Sequence, residues 1–259
     1  MEDPNTIGIA FFLTVLAGLS TGIGSTIAYF IKKPKIIYLS FSLGFSAGVM
    51  VFVSFVELLP QALDQVGEVM AFTAFFIGIL FVAIIDMVIP EMENPHSYSG
   101  LSNGVASGFD KTLMRTGLLT ALAIAIHNFP EGIATFGTAL GDVKLGVVIA
   151  IAIAIHNIPE GISVSMPIFY ATKNKKKAFT YSFLSGVAEP IGAVIGFLIL
   201  MPFLSGGVLY SLLAFVGGIM VYISLDELLP IAHKYGHGHT VIFGVVLGML
   251  IMALSLLLL

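Results

Sequence analysis

Apolar runs long enough to cross a bilayer recur along this chain, separated only by short polar breaks. A helix needs about 20 mostly apolar residues to traverse about 30 Å of hydrocarbon. Eight segments meet that length: 6–30, 36–60, 70–90, 113–137, 145–170, 178–202, 207–231 and 240–259. The breaks carry turn chemistry: Lys32-Lys33-Pro34, Asp64 to Glu68, Gly141-Asp142, the lysine-rich 173–177, Ser205-Gly206-Gly207 and 234–239. The longest, 91–112, is rich in Gly, Ser and Asn and reads as a mobile cytoplasmic loop. None could hold a second folded unit, so 1–259 reads as a single transmembrane domain. Only 10% of residues are charged, against about 25% in an ordinary soluble domain. The fold class is therefore all-α integral membrane, with eight transmembrane helices.

The acidic opening MEDPNT leads straight into a long apolar stretch. A cleaved signal peptide has a basic start and a shorter core, so the first run reads as a helix of the mature chain. The absence of cysteine removes a disulfide framework, thiolate ligation and thiol catalysis. The net charge of −4 and the lack of a basic stripe exclude nucleic acid as a partner. The lipid bilayer is one partner, and a homodimer is the protein partner left open.

Basic residues set the orientation. Lys32, Lys33 and Lys35, then Lys111 and Arg115, then Lys173, Lys175, Lys176 and Lys177, then Lys234 all fall in alternate loops. Only Lys144 falls on the other side. Lys and Arg are retained on the cytoplasmic face, so both termini point outward from a cell membrane.

Two pairs of segments repeat. GVMVFVSFVELLP (48–60) matches GIMVYISLDELLP (218–230), and AIAIHNFPEGI (123–133) matches AIAIHNIPEGI (152–162). The first pair sets span 2 on span 7 and the second sets span 4 on span 5, so in each the copies run in opposite directions. Three spans, a central pair and three inverted spans is the simplest scheme, a 3+2+3 inverted-repeat bundle. Repeats inverted in the membrane plane are the build of many secondary transporters, with substrate held near the midplane.

Glu57, Asp86, Glu131, Glu160, Glu189, Asp226, Glu227, His127 and His156 all fall within these spans. An ionisable group inside a membrane is kept only where it pairs, lines water or binds something. His127 and Glu131 lie four residues apart on one helix face with Asn128 beside them, and His156, Asn157 and Glu160 repeat the arrangement. Pro130 and Pro159 each leave a helical carbonyl without its usual donor. Imidazole nitrogen, carboxylate and amide oxygen together suit a borderline divalent ion such as Zn²⁺, Fe²⁺, Mn²⁺ or Co²⁺. Glu189, followed by Pro190, joins this set as a mid-span ligand. Met50 is two helical turns before Glu57 and is either packing or a soft ligand. Glu57 falls toward the outer mouth and Asp226-Glu227 toward the inner one, as pathway acids or as acids snorkelling at helix ends. Asp86 reads as an interfacial acid of the second kind. His233, His237 and His239 read as solvated loop residues.

HNFPEG and HNIPEG, with eight spans and outward termini, resemble the ZIP family of divalent-metal transporters, and its bacterial ZupT-like branch most closely. The resemblance covers essentially the whole chain. It implies two adjacent metal positions between spans 2, 4, 5 and 6. One would use His127, Glu131, His156 and Glu160, with Met50 as a further ligand. The other would use Asn128, Glu131, Asn157, Glu160 and Glu189, so two carboxylates bridge. It further implies uptake of zinc, iron, manganese and cobalt into the cytoplasm. Unlike many eukaryotic members, the 91–112 loop carries only His96.

The expectation is a divalent-metal importer that works by alternating access, with no catalytic residue and no cofactor, the metal being cargo. An intramembrane metal-dependent hydrolase is one alternative, but asparagine stands where H-E-x-x-H would place its base. A proton-coupled carrier of an organic solute is the other, with the acids as relays.

Overall fold

The computed structural model describes residues 4–30, 35–88, 111–200, 206–236 and 238–258. Among these the chain is helical, without a strand: α1 (Pro4–Phe30), α2 (Ile36–Val53), α3 (Leu59–Val88), α4 (Lys111–Gly141), α5 (Val143–Thr172), α6 (Lys175–Ile195), α7 (Gly206–Ile223), α8 (Leu229–Tyr235) and α9 (Gly238–Leu258). The expected loop 91–112 lies outside the described residues up to position 110.

Seven helical stretches are long and apolar enough to cross a bilayer, which makes this a multi-pass membrane protein. One of them, Ile37–Met87, runs 51 residues. At 1.5 Å per residue that is more than twice a hydrocarbon core. The stretch doubles back. Gly67 has φ 77° and ψ 164°, and the rings of Phe55 and Phe75, on either side of it, lie 5.7 Å apart. The sequence suggested a loop from Asp64 to Glu68; instead helix runs up to one residue and away from it. Glycine alone takes that backbone readily, so a single residue reverses the chain.

Both copies of the S-x-x-E-L-L-P segment open into a π-helical turn, at Ser54–Leu58 and Ser224–Leu228. The cause is local. Pro60 and Pro230 have no N–H to donate, so the ladder must shift register ahead of them. The N–H groups of Leu59 and Leu229 accordingly reach back to the carbonyls of Ser54 and Ser224. The two serine hydroxyls donate to the carbonyls of Met50 and Met220, at 2.7 and 2.8 Å. Glu57 and Glu227 are carried on these widened turns.

Helices pack closest where glycine lets backbone touch backbone. A Cβ on Gly24 would collide with the carbonyl of Ile158, and one on Gly161 with that of Thr21, which seals α1 to α5. Gly132 against Glu189 and Gly192 against Phe129 seal α4 to α6. Gly48 against Val245 and Gly248 against Phe45 join α2 to α9; Gly218 against Phe75 and Gly78 against Phe215 join α7 to α3. The result is two groups of helices, α1 with α4, α5 and α6, and α2 with α3, α7 and α9. The outer surface is apolar, with Phe12, Ile23, Phe76, Leu80, Phe243 and Val246 all exposed. The fully buried residues include His127, Asn128, Asn157, Glu160 and Glu189. Apolar outside and ionisable inside is the reverse of a soluble domain.

Candidate metal centre

The repeated motif sits mid-helix in α4 and α5, and both helices continue through Pro130 and Pro159. Ser46 of α2 donates to the carbonyl of Pro159 at 2.8 Å, which ties the second helix group to the motif. The Gly132 and Gly192 contacts press α6 against α4 and bring Glu189 to the same depth.

The side chains then interlock. His127 Nε2 lies 2.9 Å from Glu160 Oε1, so an imidazole of α4 meets a carboxylate of α5. Asn157 Nδ2 donates to Glu189 Oε2 at 2.8 Å and to the carbonyl of Ala17 at 3.0 Å. Asn128 Nδ2 donates to the carbonyl of Ser185 at 3.3 Å. Glu131 is buried beside them, next in the chain to the Gly132 that presses onto Glu189. Glu160 Oε2, Glu189 Oε1 and the Oδ1 atoms of Asn128 and Asn157 are buried with no hydrogen-bond partner. Buried carboxylate and amide oxygens left open together are the kind of donors that a divalent cation takes.

Six of the eight sequence-chosen ligands are thus gathered: His127, Asn128, Glu131, Asn157, Glu160 and Glu189. The side chain of His156 lies outside the described residues. Met50 is fully buried in an apolar core with Ile124, Met220 and Ile223, a surrounding that suits a thioether as packing.

A cavity of about 270 Å³ leads to the centre, with Glu131 in its wall beside Thr138, Ile153 and Leu213. Glu57, Gln61, Asp64 and Gln65 line it as well. Gln61 Nε2 donates to Glu57 Oε1. Gln61 and Asp64 were not among the sequence-chosen residues, although they follow Glu57 at four and seven residues on one helix face. At the other end of the molecule Asp86 comes within 4.8 Å of Asp226 and Glu227, ligand atom to ligand atom. Asp86 was read from sequence as an isolated interfacial acid; its partners come from α7's extension, which nothing local to span 3 reveals. Only about 30 Å³ of space adjoins Asp86 and Glu227. The loop histidines form no cluster among the described residues: His233 Nδ1 bonds the carbonyl of Leu229 at 2.8 Å, His239 is exposed near the start of α9, and His237 lies outside the described residues.

Comparison with known proteins bears on this arrangement. A family model described as ZIP zinc transporter matches residues 93–256. A zinc transporter ZupT of Clostridium perfringens is 54% identical over 279 residues, covering 99% of this chain and 98% of the relative. Those of Chlorobium phaeovibrioides and Streptococcus mutans are 57% and 56% identical, covering 98% and 96% of this chain and 99% and 97% of the relatives.

Proposed function

This chain belongs to the ZIP family of zinc transporters, and we propose that it carries zinc and related divalent ions, iron, manganese and cobalt among them, into the cytoplasm across a cell membrane. The observation that carries the reading is the junction of the two motif copies, His127 against Glu160 at 2.9 Å, amid buried carboxylates with open acceptor atoms. The activity is transport and not catalysis, with the metal as cargo.

The ligands of one ion are His127, Glu131, His156 and Glu160, while Met50 stays with the apolar core of Ile124, Met220 and Ile223. Those of a second are Asn128, Asn157 and Glu189, with Glu131 and Glu160 bridging. Three carboxylates and imidazole nitrogens offset the hydration an ion sheds on reaching the midplane.

The architecture proposed is one domain of eight crossings in a 3+2+3 inverted repeat, both termini outside. Two helical arms on either side of Gly67 support the eighth crossing. Paired contacts support the repeat: Gly48 is to Val245 as Gly218 is to Phe75, and Gly248 is to Phe45 as Gly78 is to Phe215. The position of the lysines supports the orientation. Tyr170 donates to the carbonyl of Lys35, and Lys173 lies 5.1 Å from the Tyr170 ring, so two basic loops share one end of the bundle.

Ions reach Glu131 past Glu57, Gln61 and Asp64, and leave past Asp86, Asp226 and Glu227 once the two helix groups shift against each other. The open space on the Glu57 side and the close packing of Leu39, Leu43, Ile124 and Leu228 on the other favour an outward-open state. Saturable ⁶⁵Zn²⁺ accumulation in sealed proteoliposomes, lost in Glu131→Ala and in Glu160→Ala variants that remain folded, is the expected result. Uptake equal to the parent in either variant overturns the site assignment.

A further inference from the structure

Thr21 stands where the repeat elsewhere carries a carboxylate. Gly161 lies on the carbonyl of Thr21 as Gly132 lies on that of Glu189, and Gly24 lies on Ile158 as Gly192 lies on Phe129. Thr21 of α1 and Glu189 of α6 are therefore equivalent positions. The asparagines repeat the relation. Asn157 donates to Ala17 O at 3.0 Å and to Glu189 Oε2 at 2.8 Å. Asn128 donates to Ser185 O at 3.3 Å, and Ser185 precedes Glu189 by the interval at which Ala17 precedes Thr21. On the Asn128 side, the member that completes the set is Thr21.

Thr21 is fully buried, and its hydroxyl has no hydrogen-bond partner. A threonine buried in a helix ordinarily donates to the carbonyl one turn back. Thr14 and Thr135 do so in this molecule, to Ala10 and Glu131 at 3.0 and 2.8 Å, whereas the hydroxyls of Thr21 and Thr120 stay open; of these two, only Thr21 holds the place equivalent to Glu189. Asn128 Oδ1 is likewise buried and open. Buried polar atoms without partners are rare enough to call for a ligand or a bound water.

We propose that Thr21 is a specificity-determining residue of the metal centre, its hydroxyl acting with Asn128 Oδ1 to hold one water of the ion's shell on the side opposite Glu189. Neutral oxygens and water suit a hard ion such as Mn²⁺, whereas Zn²⁺ draws more on imidazole. By keeping this corner neutral, Thr21 also holds the centre to three carboxylates. The inference rests on the transport reading above.

Removing an orphaned hydroxyl should not unfold the protein, which separates a ligand role from a packing accident. Parent, Thr21→Val and Thr21→Ser proteins are compared in proteoliposomes for Mn²⁺ and Zn²⁺ uptake, and in detergent for melting with and without each ion. Thr21→Val is expected to melt no lower than the parent without metal. Its KM for Mn²⁺ should rise about 10-fold, the low end for losing an outer-shell partner, with a smaller rise for Zn²⁺ and recovery in Thr21→Ser. An Mn²⁺ KM that is unchanged, or that rises no more than the Zn²⁺ KM, overturns the proposal. Should Thr21→Val not fold, Thr21→Ala is judged by the same two criteria. A parent that neither accumulates metal nor melts differently with it would overturn the transport reading instead.

Discussion

His127 Nε2 and Glu160 Oε1 lie 2.9 Å apart with both side chains fully buried, so each copy of the repeated motif supplies one half of a single contact. Removing one half strands the other. A buried carboxylate deprived of its partner costs about 3–5 kcal/mol, and His127→Ala should therefore melt lower than the parent. It should also lose at least about 10-fold in Zn²⁺ uptake at sub-saturating ion, the scale of a lost metal-site partner. Melting curves and initial uptake rates test both; an unchanged rate would remove His127 from the centre.

Acid should oppose uptake. Imidazoles and carboxylates bind metal only after giving up their protons, so protons and metal compete for the same atoms. The KM for Zn²⁺ is expected to climb as the outer pH falls from about 7.5 to about 5.5, the range in which an ordinary imidazole charges. A His127→Gln protein should show a shallower climb. Faster uptake at the acidic end, measured without a pH gradient, would reverse the sign and contradict the competition.

The seam between α4 and α6 leaves no room for a methyl group. A Cβ on Gly132 would strike the backbone carbonyl of Glu189, so Gly132→Ala must push the helix that carries Glu189 away from the motif. Uptake should fall at least about 10-fold, since a misplacement near 1 Å at a site can cost about 100-fold. Gly137→Ala is the control. Five residues further along α4, its nearest neighbour would be Leu209 Cδ2 at 4.0 Å, and uptake at the level of the parent is expected.

Gly67 offers a test of the reversal that does not touch the centre. No atom lies within 4 Å of where its Cβ would be, yet φ is +77°. Gly67→Ala is therefore a pure backbone penalty, about 1–3 kcal/mol. The melting temperature should drop while the KM for Zn²⁺ stays put. A shift in KM would mean that the turn reports to the site.

Because the chain has no cysteine, single cysteines can map the route. Thr138→Cys, in the wall of the cavity, should react with a membrane-impermeant thiol reagent applied from the side of the termini. Leu43→Cys, fully buried in the packing on the other side, should resist it from either side until metal is supplied. Equal reactivity of both without metal would argue against alternating access.

The helical class, and the buried meeting of the two motif copies, could be read from the chain because both depend on local chemistry. Apolar runs announce spans, and His127, Glu131 and Glu160 stand out as ionisable residues in hydrocarbon. What could not be read depends on partners distant in sequence or on backbone detail. Asp86 looks isolated in its own span, and only folding sets it beside Asp226 and Glu227. Asp64 looked like a loop residue, because Gly67 compresses the expected turn to a single position and leaves Asp64 helical on the cavity wall. The register shift ahead of Pro60 and Pro230 was latent in the repeated motif, though a proline alone suggests a bend rather than a widened turn.

The glycine contacts have a further bearing on the work of one transport cycle. Among the described residues, every glycine pressed onto a neighbouring helix's carbonyl joins helices of the same group; the contact from Gly137 to Leu209, which does cross between groups, is a loose one at 4.0 Å to a side chain. Backbone against backbone has no rotamer to change, so these seams resist sliding, and under the proposed alternating access each group would travel as a slab. Between the groups the contacts run through side chains instead, among them Ser46 Oγ on the carbonyl of Pro159 and Leu209 over Gly137. The proposed stroke along that plane would exchange contacts such as that of Ser46 and leave the glycine seams whole, so its barrier would rest largely on stripping water from the ion and restoring it.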